Sequence, residues 1–223
     1  MWGVYRMLVS IKGFGMNSII VIGTTVQAPQ LRYTQDNQTA IAEMIVQFPG
    51  TRDNDPPSQL KVMGWGNTAQ EMQGCQVGDQ YLLEGRLQVN LVPRPEGFKE
   101  KVAEMRLSRL TAGGGTLNAV HLVGRAGRDP DVKYFESGKV VSNFTLAVNR
   151  LSRDSEPDWF DVEVWDRTAQ VAADYVSKGS LVGITGTLRF DCWTDRNTGI
   201  SRSKPVIRVN QLDLLGGKRD QGF

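Results

Sequence analysis

Short stretches in which apolar and polar residues alternate follow one another along most of the chain. This alternation is typical of β-strands with one buried face. In the second half it predicts strands over residues 117–125, 139–149, 159–165, 180–193 and 205–212. One helical segment, residues 168–176, lies between the third and fourth of these strands. The first half follows the same order of elements, so the pattern predicts an all-β protein.

The two halves also resemble each other residue by residue. Residues 17–23 (NSIIVIG) return as 118–124 (NAVHLVG), and 65–70 (WGNTAQ) return as 165–170 (WDRTAQ), at spacings of 101 and 100 residues. A period of this length indicates a duplicated domain, because solenoid repeats are much shorter. The prediction is an extension at 1–15, copy one at 16–110, a glycine-rich linker at 111–116, copy two at 117–215 and a short tail at 216–223. A gene start at Met16 would account for the extension equally well.

Each copy is predicted to be an OB-fold Greek-key barrel. Five strands with one short helix between strands 3 and 4 is the order of elements in that fold. Periodicity alone does not establish that the sheet closes into a barrel, but the order of elements favours closure. The chain is therefore expected to contain two such barrels in tandem.

Composition narrows the function without deciding it. Copy one has nine basic and ten acidic residues, and the chain from residue 117 onward has fifteen and fourteen, so charge alone does not nominate nucleic acid. The two cysteines are far apart and His121 is the single histidine, which excludes the usual zinc and Cys–His sites. With no nucleophile–base pair visible, we expect no enzymatic activity and no cofactor. No apolar stretch could span a bilayer, and both cysteines are expected to be buried, reduced thiols of a cytoplasmic protein.

Large aromatic residues occupy outward positions in copy two. In residues 159–165, Phe160, Val162 and Val164 form the inner row, so Trp159, Asp161, Glu163 and Trp165 face outward. In residues 180–193 the same alternation places Trp193 and Arg189 outward. Exposed tryptophans fit base stacking, which tolerates any sequence. Packing under loops or at a subunit interface fits the alternation equally well.

Copy one carries fewer such residues. Trp65 matches Trp165, whereas Gln59 and Val92 stand where copy two has Trp159 and Trp193. Lys61 and Arg86 face outward and are candidate phosphate contacts, and Phe98, in a predicted loop, could partly compensate for the missing tryptophans.

Further candidates lie at strand ends and loops of copy two. Arg125, Arg128, Arg150 and Arg153 are candidate phosphate contacts, with solvated surface charge as the alternative. Tyr134, and Tyr33 at the same place in copy one, are assigned either a structural role or a nucleotide contact.

These segments resemble the bacterial single-stranded DNA-binding protein family. In copy two the matching segments include NAVHLVGRAGRDPDVKY, WFDVEVWDRTAQVAADYVSKGS and ITGTLRFDCWTD. In copy one, PQLRYTQDNQTAIAEMIVQFPG and GWGNTAQ look like the cyanobacterial form. The resemblance implies that Trp159, Trp165 and Trp193 stack on bases of single-stranded DNA, in replication, recombination and repair. It also implies four OB domains per assembly, hence a homodimer of this chain.

Two departures from the family pattern leave an alternative function. Asp161 and Glu163 lie between the tryptophans, where family members often carry basic or apolar residues, and this weakens attraction for phosphate. The chain ends GGKRDQGF without a long acidic tail, so recruitment of partner proteins by such a tail is doubtful. The alternative is an accessory OB-fold protein for interaction or assembly, with weak DNA affinity. We expect Trp165→Ala to impair DNA binding more than Trp65→Ala.

Overall fold

The computed structural model describes residues 15–36, 38–50, 55–95, 97–150, 155–196 and 198–216. The predicted extension except residue 15, Arg153 and all but the first residue of the predicted tail lie outside the described residues. Within them the chain is built mainly from strands, with two short helices. The prediction of an all-β protein is confirmed.

Copy one forms a closed five-stranded barrel. Its elements are β1 (Asn17–Tyr33), β2 (Ala40–Phe48), β3 (Ser58–Trp65), α1 (Asn67–Met72), β4 (Gln80–Pro93) and β5 (Lys99–Ala112). β1 pairs with both β2 and β4, β2 pairs with β3, and β4 pairs with β5. The single parallel pairing, between β3 and β5, closes the ring. The helix lies between strands 3 and 4, as the sequence predicts.

Copy two repeats the barrel with one change. Its elements are β6 (Asn118–Ala126), β7 (Asp131–Tyr134), β8 (Val140–Val148), β9 (Asp158–Trp165), α2 (Asp166–Tyr175), β10 (Leu181–Thr194) and β11 (Ser201–Leu214). The parallel pairing of β9 with β11 again closes the ring. The long β1 of copy one corresponds to two strands here, β6 and β7, and the sequence analysis did not predict the second of them.

The alternation of buried and exposed positions follows the predicted rows. Phe160, Val162 and Val164 of β9 are buried in the core, as are Ile184 and Leu188 of β10. The same side-chain bond ties the start of each barrel to its fourth strand. Asn17 accepts from the Leu87 N–H and donates to the Leu87 carbonyl. Asn118 makes the same two bonds with Leu188, so both residues of the pair recur 101 residues further along the chain.

The expectation of two buried cysteines is wrong for Cys192. Cys75 is buried, and burial raises the pKa of its thiol, so this side chain stays protonated. Cys192 is exposed because the β10–β11 hairpin continues past the barrel, where the inward row of the strand no longer meets the core.

The two barrels are joined by their first strands. β1 and β6 pair antiparallel, and Ile19 lies opposite Val120, its own equivalent in the repeat. The pairing is therefore nearly symmetric about this point. The β4–β5 hairpin of copy one extends over copy two, where the Val89 N–H donates to the buried Asp158 carboxylate at 3.0 Å. The extended hairpin therefore brings residues of the β4–β5 loop onto the outward surface of copy two.

Candidate nucleic-acid interface

Trp159 and Trp193 of copy two lie on the surface, with 43% and 45% of their area exposed. The indole of Trp159 rests on Gly127, where a Cβ atom would come within 2.3 Å of the ring. Gly127 follows directly after the end of β6, and copy one has Val26 at the same place. The glycine that interrupts the first strand thus makes room for the tryptophan. We call the outward surface carrying Trp159, Trp165 and Trp193 the aromatic face.

Trp165 is half-buried and held from several sides. Its indole N–H donates to the Glu163 carboxylate at 2.6 Å. The ring of Phe135, in the turn between β7 and β8, stacks on it nearly parallel, with centroids 5.8 Å apart. The Arg208 guanidinium lies over the indole at 5.8 Å from its centre. Phe135 is itself 46% exposed, so it adds a further ring to the aromatic face.

Arg189, the predicted cation of the fourth strand of copy two, is neutralised by carboxylates. Arg189 donates to Glu163 at 2.8 Å and pairs with Asp191 at 2.9 Å. Its side chain is only 9% exposed, and its buried Nε–H has no hydrogen-bond partner among the described residues. Arg189 is predicted to face outward, but its side chain lies beneath the surface.

Of the three positions in copy one that match the tryptophans of copy two, one carries an aromatic ring. Trp65 is half-buried, and the Arg106 guanidinium lies over it at 4.3 Å. Lys61 forms ion pairs with Glu43 at 3.1 Å and with Glu104 at 3.6 Å. Arg86 is partly buried, and this burial is the main cause that lowers the pKa of its guanidinium. Lys61 is thus partly exposed but ion-paired, and Arg86 is partly buried.

The remaining candidates divide between the surface and the junction of the copies. Tyr134 is 69% exposed, and Arg125 is exposed and donates to the Gly179 carbonyl at 2.9 Å. Arg150 pairs with Asp158 at 2.7 Å and donates to Asn90 of copy one. Phe98 lies in the predicted loop, but its ring contacts Arg202 of copy two, with the guanidinium carbon 3.8 Å from its centre.

Comparison with known protein families gives a separate match for each copy of the repeat. A sequence model of the Single-strand binding protein family matches residues 16–112 and again residues 117–215. The chain belongs to this family. The two matches place one family domain on each barrel.

The cyanobacterial character of copy one in this family member is confirmed. A Synechocystis protein named Single-stranded DNA-binding protein 1 is 68% identical over 107 residues of the first half, which is 47% of this chain and 88% of the relative. A Thermosynechococcus vestitus protein named Single-stranded DNA-binding protein is 64% identical over 104 residues, or 47% of this chain and 87% of the relative. Each relative is thus little longer than one copy.

A solved structure matches both barrels of this family member together. The crystal structure of the single-stranded DNA binding protein from Thermus aquaticus superposes with a TM-score of 0.73. It covers 95% of this chain and 98% of the Thermus chain at 24% sequence identity. At that identity the likeness concerns the fold, and it agrees with the tandem barrels described above.

The sequence analysis missed three residues that contact the predicted tryptophans. Phe135, Arg208 and Arg106 all contact a predicted tryptophan. Arg106 and Arg208 stand at equivalent registers, opposite Met63 and Glu163 of the third strand. The signal was available, because the closing strand of each copy carries an arginine beside the predicted tryptophan strand.

Within the described ranges, no group of His, Cys, Asp and Glu side chains is arranged to hold a metal ion. No helix in that same part of the chain has the length and apolar character needed to cross a membrane.

Proposed function

We propose that this chain binds single-stranded DNA without sequence preference, by stacking bases on its tryptophans and contacting phosphates with nearby cations. The observation that carries the proposal is the aromatic face, where Trp159 and Trp193 are exposed and Trp159 is seated on a glycine. Exposing large aromatic rings to water is unfavourable in free energy, and such rings on a surface mark an interaction site. Stacking on such rings contributes about 1–3 kcal/mol per base.

The names of the relatives support DNA binding by copy one as well. The Synechocystis and Thermosynechococcus proteins are named for single-stranded DNA binding and align with this copy. Trp65 with Arg106 above it provides one ring and one cation for this purpose. Arginine stacked on tryptophan still offers its N–H groups to phosphate.

The wider role follows from the family. Two chains, giving four OB domains, form the assembly, which coats single-stranded DNA in replication, recombination and repair. The protein acts by binding and not by catalysis. We place it in the cytoplasm with the nucleoid, although one Synechocystis relative, 46% identical over 97 residues, is named as thylakoid-associated.

The pairing of cations with carboxylates favours a second function, an accessory interaction or assembly factor with weak DNA affinity. Glu163 and Asp191 neutralise Arg189 on the aromatic face, and Glu43 and Glu104 do the same to Lys61. These ion pairs would have to open before the cations could meet phosphate.

Titration of intrinsic tryptophan fluorescence with oligo-dT at two salt concentrations tests both functions. Saturable quenching that persists at moderate salt is expected for a DNA-coating protein, with a salt slope of about −0.7 per phosphate neutralised. Weak quenching that disappears at moderate salt would favour the accessory function. Folded protein that shows no quenching would reject DNA binding by stacking.

A further inference from the structure

A groove of about 590 Å³ lies where the hairpins of the two copies meet. The end of the β4–β5 hairpin of copy one forms one side, and the end of the β10–β11 hairpin of copy two forms the other. We call it the junction groove. Its lining includes Phe98, Lys99, Lys101, Trp193, Arg202 and Lys204. The volume falls in the range of small-molecule sites, about 300–1,000 Å³.

An arginine links one aromatic ring from each copy across this groove. Arg202 lies directly opposite Trp193 in the β10–β11 ladder. Its guanidinium carbon is 3.8 Å from the centre of the Phe98 ring, and its Nε–H donates to Asp195 at 3.0 Å. The side chain is 11% exposed, so these contacts hold it in place. Phe98 is thereby fixed near the exposed indole of Trp193.

The floor of the groove is also fastened between the copies. Lys101 of copy one forms an ion pair with Asp161 of copy two at 2.7 Å, and both side chains are about three-quarters buried. A partly buried pair is less screened by salt than an exposed one. The hairpin of copy one is therefore held against the aromatic face of copy two.

The groove is lined by more cations than are needed to pair its carboxylates. Each of its three carboxylates has a cation: Asp161 has Lys101, Asp195 has Arg202, and Glu100 has Arg94. Lys99 and Lys204 line the same groove and form no ion pair within the part of the chain that the structure describes. Two cations therefore remain for an anionic ligand.

We propose that the junction groove is a nucleotide-binding slot shared by the two copies. A base of single-stranded DNA stacks on Trp193, Phe98 closes the slot from copy one, and Lys99 and Lys204 contact the phosphates. The inference rests on the proposed function and adds that the strand passes from one copy to the other at this point. Phe98 therefore serves the site of copy two and does not replace a tryptophan of copy one.

A double-mutant cycle on the full-length chain tests the shared slot, with oligo-dT affinity as the readout. We expect Trp193→Ala to weaken binding at least fivefold, the lower end of a base-stacking contribution. Phe98→Ala should weaken it about threefold to tenfold. In the Trp193→Ala background, Phe98→Ala should have almost no further effect, because both rings hold the same nucleotide.

Two controls separate this inference from general effects. Leu91→Ala removes an exposed apolar side chain from the same hairpin outside the groove and should leave affinity unchanged. Combined with Trp165→Ala, Phe98→Ala should multiply the losses, because Trp165 does not line the groove. The shared slot is overturned if Phe98→Ala has no effect, or if its loss multiplies with that of Trp193→Ala. Absence of oligo-dT binding by the unmodified chain would instead reject the proposed function.

A second measurement addresses the lysines. Replacing Lys99 and Lys204 together by glutamine should reduce the magnitude of the salt slope by about 1.4, since each phosphate contact on a single strand contributes about 0.7. Lys178→Gln changes an exposed lysine outside the groove and should leave the slope unchanged. An unchanged slope in the double variant would contradict phosphate contact by this pair.

Discussion

Copy one and copy two build the same barrel from the same order of strands, yet they differ on the outward face of the third strand. Copy two has Trp159 seated on Gly127, whereas copy one has Gln59 and Val26 at these positions. Copy two also stacks Phe135 on Trp165, whereas Thr34 takes the place of Phe135 in copy one. The inner rows of both copies remain apolar and buried.

The difference shows that fold and site are encoded in separate rows of the same strands. A strand presents every second residue to the core, so the outward row can change without disturbing the barrel. Copy one is 61–68% identical to its cyanobacterial relatives over the first half of the chain. The contrast between copies is therefore a contrast of surfaces, and substitutions in the outward row can test it.

The largest expected difference lies between the matched tryptophans. We expect Trp165→Ala to weaken oligo-dT binding at least fivefold, because it removes the ring on which Phe135 stacks, in the copy that carries two further exposed tryptophans. Trp65→Ala, which removes an isolated ring, should cost less. Equilibrium titration of both variants measures this ranking. Equal losses, or a larger loss for Trp65→Ala, would reject it.

Removing the seat of Trp159 should have a somewhat smaller effect. In Gly127→Val the new Cβ would lie 2.3 Å from the indole and 2.7 Å from the Thr145 hydroxyl, so the ring must move. We expect a severalfold loss of oligo-dT affinity, approaching the loss caused by Trp159→Ala, and a shift in tryptophan emission. Val26→Ala at the equivalent position of copy one is the control. Unchanged affinity with a displaced indole would show that Trp159 does not hold a base.

The turn into the helix offers a test on stability. Gly66 adopts φ 58° and ψ −124°, a conformation that favours glycine, and copy two has Asp166 at this place with φ 52°. Placing the residue of copy two into copy one, as Gly66→Asp, should lower the free energy of unfolding by about 1–2 kcal/mol. Chemical denaturation measures the change. Gly74→Asp, at an exposed glycine without positive φ, should have little effect.

The smallest expected effect concerns the carboxylates of the aromatic face. Glu163→Gln keeps the acceptor for the Trp165 indole N–H and removes one of the two carboxylate charges that pair with Arg189. Oligo-dT affinity should rise about twofold to fivefold at low salt, because one negative charge that repels phosphate is removed from the aromatic face. Asp213→Asn gives the same change of net charge near the end of β11 and should leave affinity nearly unchanged. A lower affinity in Glu163→Gln would mean that this carboxylate supports the site.

The sequence predicted the elements and the outward tryptophans because both depend on local alternation. It did not predict which cations are available, because ion pairs such as Arg189–Glu163 join side chains of different strands. The contact of Phe98 with Arg202 joins different copies and has no local signal. The stacking of Phe135 on Trp165 likewise depends on how a turn folds back over the third strand.

The ladder between β1 and β6 has a consequence for assembly. Between two single-copy chains this pairing would be bimolecular and would weaken on dilution. Here a short connection between β5 and β6, residues 113–117, tethers the two copies, and short linkers raise the effective concentration of such partners to about the millimolar range. The two strands of the ladder also belong to different copies, so a residue in one strand can be substituted without changing its counterpart in the other. Arg150 and Asp158, which form an ion pair in copy two, have Gly50 and Ser58 as their counterparts in copy one.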